Sequence, residues 1–380
     1  MDLRESKSEG AFRAELRAWL ASNAPPPPHP ERGSDGWHDF HRAWHRKLHD
    51  AGYAGLSWPV EYGGRGGTPS QQVIFEEELG RAGAPGLANH LGIFHVGPAI
   101  MTHGTDAQKQ RYLPPMLTAA EIWCQGFSEP GAGSDLASLR TKAVRDGDEY
   151  VVNGQKVWTT FGMLADMCQL LVRTDPDAPK HRGISCLIVD MRTPGITVRP
   201  LRQITGGAEF GEVFFDDVRV PATSLLGDEN AGWQVTMTTL ASERASVLSF
   251  HVRVQDKVRD LARLAREHGR EDDPIVRQRI GACALDAHAL RLLSYASATR
   301  AEQKTATGLE GSIAKLLWSE LEQRIYETAA DILGPDAVLD GPWLHGLLDS
   351  RSLTIAAGTS EIQKTLLAER GLGMPKEPAR

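Results

Sequence analysis

The most specific stretch of this sequence reads Gly126-Phe127-Ser128-Glu129-Pro130-Gly131-Ala132-Gly133-Ser134-Asp135. Its three glycines, two serines and one proline predict an ordered turn. Such a turn offers backbone N–H groups and hydroxyls at close approach to a ligand. Taken alone, the stretch is as typical of a structural loop as of a binding site. We name residues 126–135 the glycine loop.

The region around the glycine loop is rich in predicted β-strands. Between residues 121 and 228, short apolar runs are separated by Gly, Asp, Asn and Pro, which is the pattern of strands and turns. The predicted strands are 150–152, 157–160, 184–189, 196–198, 213–215 and 218–220. This spacing favours a β-sandwich or barrel over alternating βαβ units. No G-x-G-x-x-G follows a strand, so a dinucleotide would bind without that fingerprint.

The sequence on both sides of this region predicts helices. Residues 1–121 read as mostly helical, and helices are predicted again after residue 229. The later helices cover 233–267, 274–305, 311–333 and 360–370. Long helices with short connections are typical of an antiparallel bundle. The predicted organisation is an α+β multidomain chain, with an N-terminal helical domain at 1–121, a middle β domain at 122–228 and a C-terminal helical bundle at 229–380.

The composition argues against several classes of protein. The 380 residues include 42 basic and 49 acidic side chains, a net charge of −7, which does not suit a nucleic-acid binder with a basic surface. No run of about 20 apolar residues predicts a membrane span, and the N-terminus does not resemble a secretory signal. The four cysteines are far apart, which argues against a zinc ribbon or a disulfide framework. We expect a cytoplasmic enzyme.

A histidine series on one predicted helix raises the question of a metal site. It consists of His38, His41, His45 and His49, three or four residues apart. H-E-x-x-H is absent and basic residues are interleaved, so the series is more typical of a partly solvated helix face than of a metal centre. We expect no bound metal.

Glu243 is the most informative single residue. On one continuous helix it falls within the same arc, of about 80°, as an apolar stripe. The stripe is formed by Leu240, Val247, Phe250, Val254, Val258 and Leu261. A carboxylate among apolar side chains is costly unless it is paired or protonated. One interpretation is a buried structural ion pair, with Arg244 adjacent. The other is a desolvated carboxylate that acts as a base.

Two further motifs have both a structural and a functional interpretation. Trp158-Thr159-Thr160 ends a predicted strand, where a tryptophan beside two hydroxyls suits a flat ring with polar edges. Alone, it would more often belong to a core. Gly358-Thr359-Ser360-Glu361 predicts a helix start, with Thr359 or Ser360 as the cap and Glu361 in the first turn. Helix N-termini also receive anions, although capping explains most of this pattern.

Together these segments resemble the acyl-CoA dehydrogenase family of flavoenzymes over nearly the whole chain. The strongest parts are the glycine loop, Asn153-Gly154-Gln155-Lys156 with Trp158-Thr159-Thr160, and Gly358–Gln363, in this order. The resemblance implies an N-terminal helical domain, a middle β domain and a C-terminal four-helix bundle. It also implies FAD in a cleft between the β domain and the bundle, without a Rossmann turn.

The resemblance implies a set of site residues. Those expected to contact FAD are Gln125, Phe127, Ser128, Gly133, Ser134, Trp158, Thr159, Thr160, Thr359 and Glu361, with Arg270 as a weaker candidate. Ser134 also lies where the family meets the pantetheine arm of CoA, and Arg244 is expected near the substrate. Glu361 would approach the phosphates through its backbone, because a carboxylate beside a phosphate is unfavourable.

Two departures from the family pattern matter. Familiar members carry the catalytic glutamate directly before the Gly358 position, where this chain has Ala357. Members that resemble isovaleryl-CoA dehydrogenase place the base on the first long helix of the C-terminal bundle, which matches Glu243. The Arg-x-x-Phe-Gly segment that often reaches FAD across a dimer is not intact near Arg270, and Asp331 stands where glutamine is common. Some relatives pair two different chains to complete this part of the site.

The resemblance implies FAD-dependent α,β-dehydrogenation of an acyl-CoA to the trans-2-enoyl-CoA. Ala356 and Ala357 suggest room for a branched or bulky, steroid-type acyl group. An electron-transfer flavoprotein is the expected acceptor, and the chain is expected in a homodimer, a homotetramer or a heterotetramer with a related chain. Two alternatives remain open at this point: a FAD-binding partner subunit of a heteromeric dehydrogenase, and a flavin oxidase or monooxygenase on the same fold.

Overall fold

The computed structural model describes residues 5–30, 34, 36–246 and 250–376, without the side chains of residues 244–246. The chain forms two compact units that interleave in sequence. The sheet unit contains Pro27–Gly67 and Pro85–Ser242. The helical unit contains the chain up to Pro26, Thr68–Ala84 and the chain from Glu243 on. The linear domain boundaries stay a prediction, and the compact units do not follow them.

The helices and strands follow the predicted order of helical, β-rich and helical segments. The helices are α1 Lys7–Asn23, α2 Trp37–Asp50, α3 Pro69–Arg81, α4 Gly97–His103, α5 Asp106–Leu117, α6 Gly232–Ser246, α7 His251–Glu267, α8 Pro274–Glu302, α9 Glu310–Leu333, α10 Pro342–Leu353 and α11 Ser360–Leu366. The strands are β1 Trp123–Gly126, β2 Lys142–Asp146, β3 Glu149–Thr160, β4 Met167–Arg173, β5 Ile184–Asp190, β6 Ile196–Leu201 and β7 Phe210–Pro221.

The strands of the sheet unit belong to one sheet, in the order β1-β4-β2-β3-β7-β6, with β5 paired to β4. Most pairs are antiparallel, while β4 runs parallel to β1 and meets β2 in a single parallel pairing. Side chains of β4 alternate between two buried cores, with Met167 and Leu171 on one face and Cys168 and Leu170 on the other. The sheet is therefore covered on both faces.

Two strands are longer than the sequence predicts. Residues 150–152 and 157–160 lie in the single strand β3, and residues 213–215 and 218–220 lie in β7. Their pairing shifts register after Val152 and again after Lys156. Such bulges break the alternation of apolar and polar residues, so each strand reads as two short ones.

The helical unit is built from α1, α3, the last turn of α6 and α7 to α11. Within it α7, α8 and α9 pack on one another, and α10 and α11 pack on α9. The common core includes Val254 and Leu261 of α7, Leu290 of α8 and Ile325 of α9. Helix starts are capped as the sequence suggests: Asp273, for example, accepts hydrogen bonds from the N–H groups of the first turn of α8.

The single helix predicted for 233–267 is wrong. The structure has α6 up to Ser246 and α7 from His251, with Phe250 in a 3₁₀ turn before α7. The apolar stripe used to place Glu243 therefore crosses a change of helix, and a constant 100° per residue cannot be carried across it. Val254, Val258 and Leu261 are buried on α7 as the stripe requires. Val247 lies outside the described residues.

A carboxylate network joins four helices of the helical unit. Glu77 of α3 accepts hydrogen bonds from Arg13 Nη2 of α1 at 2.7 Å and from Tyr295 Oη of α8 at 2.9 Å. His251 Nε2 of α7 lies 3.3 Å from the same carboxylate. These bonds outweigh burial, which alone would raise the pKa of Glu77, and lower that pKa to about 2.

Every helix in the described part of the chain is too short or too polar to cross a membrane.

Candidate active site

The buried ion pair between Lys156 and Glu129 holds the glycine loop. The ammonium of Lys156, in β3, donates to Glu129 Oε1 at 2.8 Å and to the Phe127 carbonyl at 3.0 Å. The Glu129 carboxylate also accepts from the backbone N–H groups of Arg140 and Thr141, at 2.6 and 2.8 Å. The Lys156 side chain is 0% exposed. The pair therefore ties the first half of the loop to β3 and to the residues directly before β2.

Trp158 stands at a bulge beside this loop. Its φ is +62°, a left-handed conformation that a tryptophan rarely adopts. Its side chain is 58% exposed, and the Val157 N–H directly before it donates to the Ser128 carbonyl at 2.9 Å. The structure thus brings the residues predicted at 127–128 next to those at 158–160. An exposed aromatic face at a strained position is typical of a functional site.

Two buried polar atoms near the loop fit a polar ligand. Gln125 Nε2, at the end of β1, and Thr159 Oγ1, in β3, are buried and have no hydrogen-bond partner among the described residues. Gly131 and Gly133 face open space, since a Cβ there would meet no atom within 4 Å. Ser134 and Gly133 are exposed, whereas Phe127 is buried in the core beneath. This donor set suits the edge of a flavin and its ribityl hydroxyls.

The predicted base lies in the helical unit. Glu243 is half-buried in the last turn of α6, and the side chain of Arg244 lies outside the described residues. Lys315 of α9 is fully buried, and its Nζ has no hydrogen-bond partner in the described part of the chain. Burial lowers the pKa of Lys315, while the charges of Glu243, Glu361 and Glu320 oppose this effect. Glu243 therefore lies in the field of a buried ammonium.

The Gly358–Gln363 segment forms the capped helix start that the sequence predicts. Thr359 is the N-cap of α11, and its hydroxyl accepts from the Ile362 N–H at 3.2 Å. Glu361 is exposed in the first turn, where bonds to its own backbone N–H and to the Thr359 hydroxyl lower its pKa. Ala357, just before, has φ of +55°. The backbone is thus strained directly before the glycine that begins this segment.

Arg270 is engaged within its own chain. Its Nη2 donates to Asp273 Oδ2 at 2.6 Å, and its Nη1 lies 3.4 Å from the Asp331 carbonyl. Asp273 is also the N-cap of α8. A role for Arg270 at FAD stays a prediction. To contact FAD, its guanidinium would have to break or share its hydrogen bond to the Asp273 carboxylate.

Sequence reasoning missed the Glu129–Lys156 pair and Lys315, although signals were present. Lys156 is in phase with the buried residues Tyr150 and Val152 of β3, so its side chain points inward. Lys315 falls at helical spacing with Ser312, Ser319 and Glu322, and all four are buried. A lysine side chain is usually exposed, but the spacing of Lys156 and Lys315 groups each of them with buried residues.

The histidine series does not form a metal site. His45 is fully buried and bonds the Leu117 carbonyl through Nε2 at 2.9 Å, while His38, His41 and His49 are partly exposed. Burial lowers the pKa of His45 to about 4, which keeps the ring neutral. Among the described residues, no group of three or more His, Cys, Asp or Glu side chains is placed to hold a metal ion.

Comparison with known proteins identifies the family. Three family models cover most of the chain: the acyl-CoA dehydrogenase N-terminal domain at residues 6–120, the middle domain at 124–218 and the C-terminal domain at 230–372. The chain belongs to the acyl-CoA dehydrogenase family. Its members are FAD-dependent flavoproteins, and this acyl-CoA dehydrogenase is an oxidoreductase that acts on acyl-CoA with FAD as its cofactor. The fold predicted from the resemblance is confirmed.

Individual relatives are similar over their whole length. The chain is 41% identical over 379 residues to acyl-CoA dehydrogenase IpdE1 of Mycobacterium tuberculosis, covering 96% of this chain and 98% of that one. Among solved structures, the Tcur3481-Tcur3483 steroid ACAD matches with a TM-score of 0.87 and 34% identity, over 99% of this chain and 100% of that chain. The ChsE4-ChsE5 complex from Mycobacterium tuberculosis matches with a TM-score of 0.86, 34% identity and the same coverage.

Proposed function

We propose that this acyl-CoA dehydrogenase converts a bulky, steroid-type acyl-CoA to its trans-2-enoyl-CoA, with Glu243 as the base. The observation that carries the proposal is a half-buried carboxylate, Glu243, in the field of buried Lys315, in a chain with alanine at 357. The acyl class is supported by the small side chains at 356 and 357 and by the similarity to a structure described as a steroid ACAD.

The residues of the sheet unit would hold the cofactor. The exposed face of Trp158, the unpartnered atoms of Gln125 and Thr159 and the open backbone at Gly133 suit an aromatic ring system with polar edges. Phe127, Ser128, Ser134 and Thr160 are adjacent to them in the same loop and strand. In the helical unit, Thr359 and Glu361 are proposed on the phosphate and adenosine side, with Arg270 as a further cofactor candidate, and Arg244 is proposed near the substrate. Bound FAD supplies the acceptor for a hydride from the β carbon.

Glu243 would remove the proton from the α carbon onto a carboxylate oxygen. The α proton of a thioester is too weakly acidic for a solvated carboxylate, so the base must be shielded from water and the thioester oxygen must be polarised. The backbone N–H of Ala357 is the proposed donor to that oxygen. The buried ammonium of Lys315 lies within electrostatic range of this carboxylate.

Substituting Glu243→Gln tests this assignment. The variant should retain FAD, because Glu243 is not among the proposed cofactor contacts, but anaerobic bleaching of the oxidised flavin by a steroid-type acyl-CoA should be lost. The matched control is Glu271→Gln, which removes an exposed carboxylate between α7 and α8 and should bleach at the wild-type rate. A Glu243→Gln protein that bleaches normally would remove Glu243 from the mechanism. Bleaching by straight-chain acyl-CoAs alone would contradict the proposed substrate class.

A second candidate is an obligate heteromer in which a related chain completes the FAD site. The engagement of Arg270 by Asp273 favours it, and two similar structures are described as pairs of differently named chains. Flavin content distinguishes the two forms. Full flavin occupancy of the chain purified alone would contradict the heteromer, whereas occupancy only after co-expression with a related chain would support it.

A further inference from the structure

The Glu129–Lys156 pair has the geometry of a clamp on the glycine loop. The carboxylate reaches forward to the N–H groups of Arg140 and Thr141, so one side chain spans the loop from its beginning to the residues that follow it. The ammonium holds the Phe127 carbonyl at the same time. The next N–H of β3, that of Val157, bonds the Ser128 carbonyl. The backbone is thus held at residues 127–129 and is linked there to residues 140 and 141.

We propose that this ion pair is a positioning element for the cofactor, which holds the glycine loop in the shape that binds FAD. The inference rests on the proposed role of the loop in FAD binding. Neither side chain is expected to touch the cofactor, because Lys156 is fully buried and Glu129 nearly so. They act through the backbone at Phe127, which is itself among the predicted flavin contacts.

The effect of this buried ion pair on FAD binding can be separated from its effect on stability. Replacing a buried ion pair by apolar groups of similar size is often neutral for stability, while removing one partner leaves an uncompensated charge. Stability and cofactor binding should therefore respond differently to single and double substitutions. The double variant Glu129→Gln/Lys156→Met contains no orphaned charge, but it leaves the Phe127 carbonyl without its donor and weakens the bonds to residues 140 and 141.

The charge of Lys156 is sensitive to pH near neutrality. Burial lowers the pKa of Lys156 to about 8, and the Glu129 carboxylate opposes this effect. The other groups that act on the ammonium are the Cys168 thiol and the Arg173 guanidinium, both in β4. As the amine loses its proton at higher pH, Glu129 loses the counter-charge to which it is hydrogen-bonded. The loop should then hold the cofactor less firmly as pH rises.

The first experiment measures FAD dissociation constants of the holoenzyme variants together with their melting temperatures. The two single variants should melt lower and bind FAD about 10–100-fold more weakly, as expected for losing a hydrogen bond to a charged group. The double variant should recover melting temperature but not FAD affinity. Recovery of both would reduce the pair to a structural role and overturn the proposal. Lys180→Met is the matched control, since it breaks the exposed 2.7 Å pair with Asp135 in the same loop and should change neither quantity appreciably.

The second experiment is decided by the wild-type protein. FAD affinity of the wild-type protein should fall severalfold between pH 7 and pH 9, while Lys156→Arg, whose guanidinium stays charged, should remain flat. A wild-type affinity independent of pH across this window would refute the proposal even if every substitution failed to fold. Both experiments read cofactor binding and not turnover, so they are independent of whether Glu243 is the base.

Discussion

Glu77 is expected to contribute a large share of the stability of the helical unit. Its carboxylate binds Arg13 and Tyr295 and lies beside His251, and thereby joins α1, α3, α7 and α8. The Glu77→Gln substitution keeps the size of the side chain and removes its charge. Since the side chain is only 12% exposed, solvent screens this network weakly.

The contribution of Glu77 to the free energy of unfolding follows from its lowered pKa. Hydrogen bonds lower the pKa of Glu77 from 4.5 to about 2, which corresponds to about 3 kcal/mol at 1.36 kcal/mol per unit. For a chain of 380 residues, this is a loss of about 4 °C in melting temperature if the chain unfolds cooperatively. Because the folded-state pKa is the lower one, the contribution is complete above pH 4.5 and disappears as pH falls through about 2.

Thermal unfolding at a fixed scan rate, from pH 7 down to pH 3, measures this contribution. The gap between wild type and Glu77→Gln should be constant above pH 4.5 and narrow below it. Glu76→Gln is the matched control on the neighbouring residue. Burial raises the pKa of Glu76, so its ionisation opposes folding above that pKa, and its substitution should leave the melting temperature unchanged or higher. A Glu77→Gln protein as stable as wild type at pH 7, or a gap that widens in acid, would refute the reasoning.

Two further predictions concern buried nitrogen atoms. Lys315→Met should leave the free energy of unfolding unchanged or raise it by about 1–3 kcal/mol, because a buried ammonium without a hydrogen-bond partner is replaced by an apolar side chain; a lower melting temperature would mean that the nearby carboxylates hold the ammonium more strongly than burial opposes it. His45 is neutral in the fold with a pKa of about 4, so wild-type stability should fall by about 3 kcal/mol as pH drops from 6.5 to 4. His45→Gln should flatten that slope in a series of melting temperatures, and an unchanged slope would assign the acid sensitivity to other groups.

The sequence predicts the order of segments well because most core residues repeat at helical or strand spacing. The prediction fails where a local feature interrupts the helical or strand spacing of the core residues. Bulges in β3 and β7 make each read as two strands. Strand β4 is buried on both faces and shows no alternation, so periodicity could not find it. The change from α6 to α7 interrupts a stripe that continues in the sequence.

The candidate site also combines residues that the sequence predicts with contacts that it does not predict. The glycine loop, Trp158 and the cap at Thr359 are visible in the sequence because glycine, an aromatic beside hydroxyls and a capping residue each have a local meaning. The contacts that hold them are not local: Lys156 meets Glu129 from 27 residues away. Two arguments indicate Glu243: its place in the apolar stripe and the family resemblance. The stripe assumes one continuous helix, so the change from α6 to α7 removes that argument. The resemblance does not depend on it.

The interleaving of the two units sets the order in which the protein can be completed during synthesis. Helices α1 and α3 leave the ribosome early, but His251 and Tyr295, which meet Glu77, follow it by 174 and 218 residues. At roughly 5–20 residues per second, the two early helices wait on the order of 10–40 s for these partners. During that time, the face of α3 that packs on α7 and α8 has no finished core to enter. The N-terminal helices are therefore where a nascent chain would depend most on a chaperone, and where a fragment cut after the sheet would aggregate first.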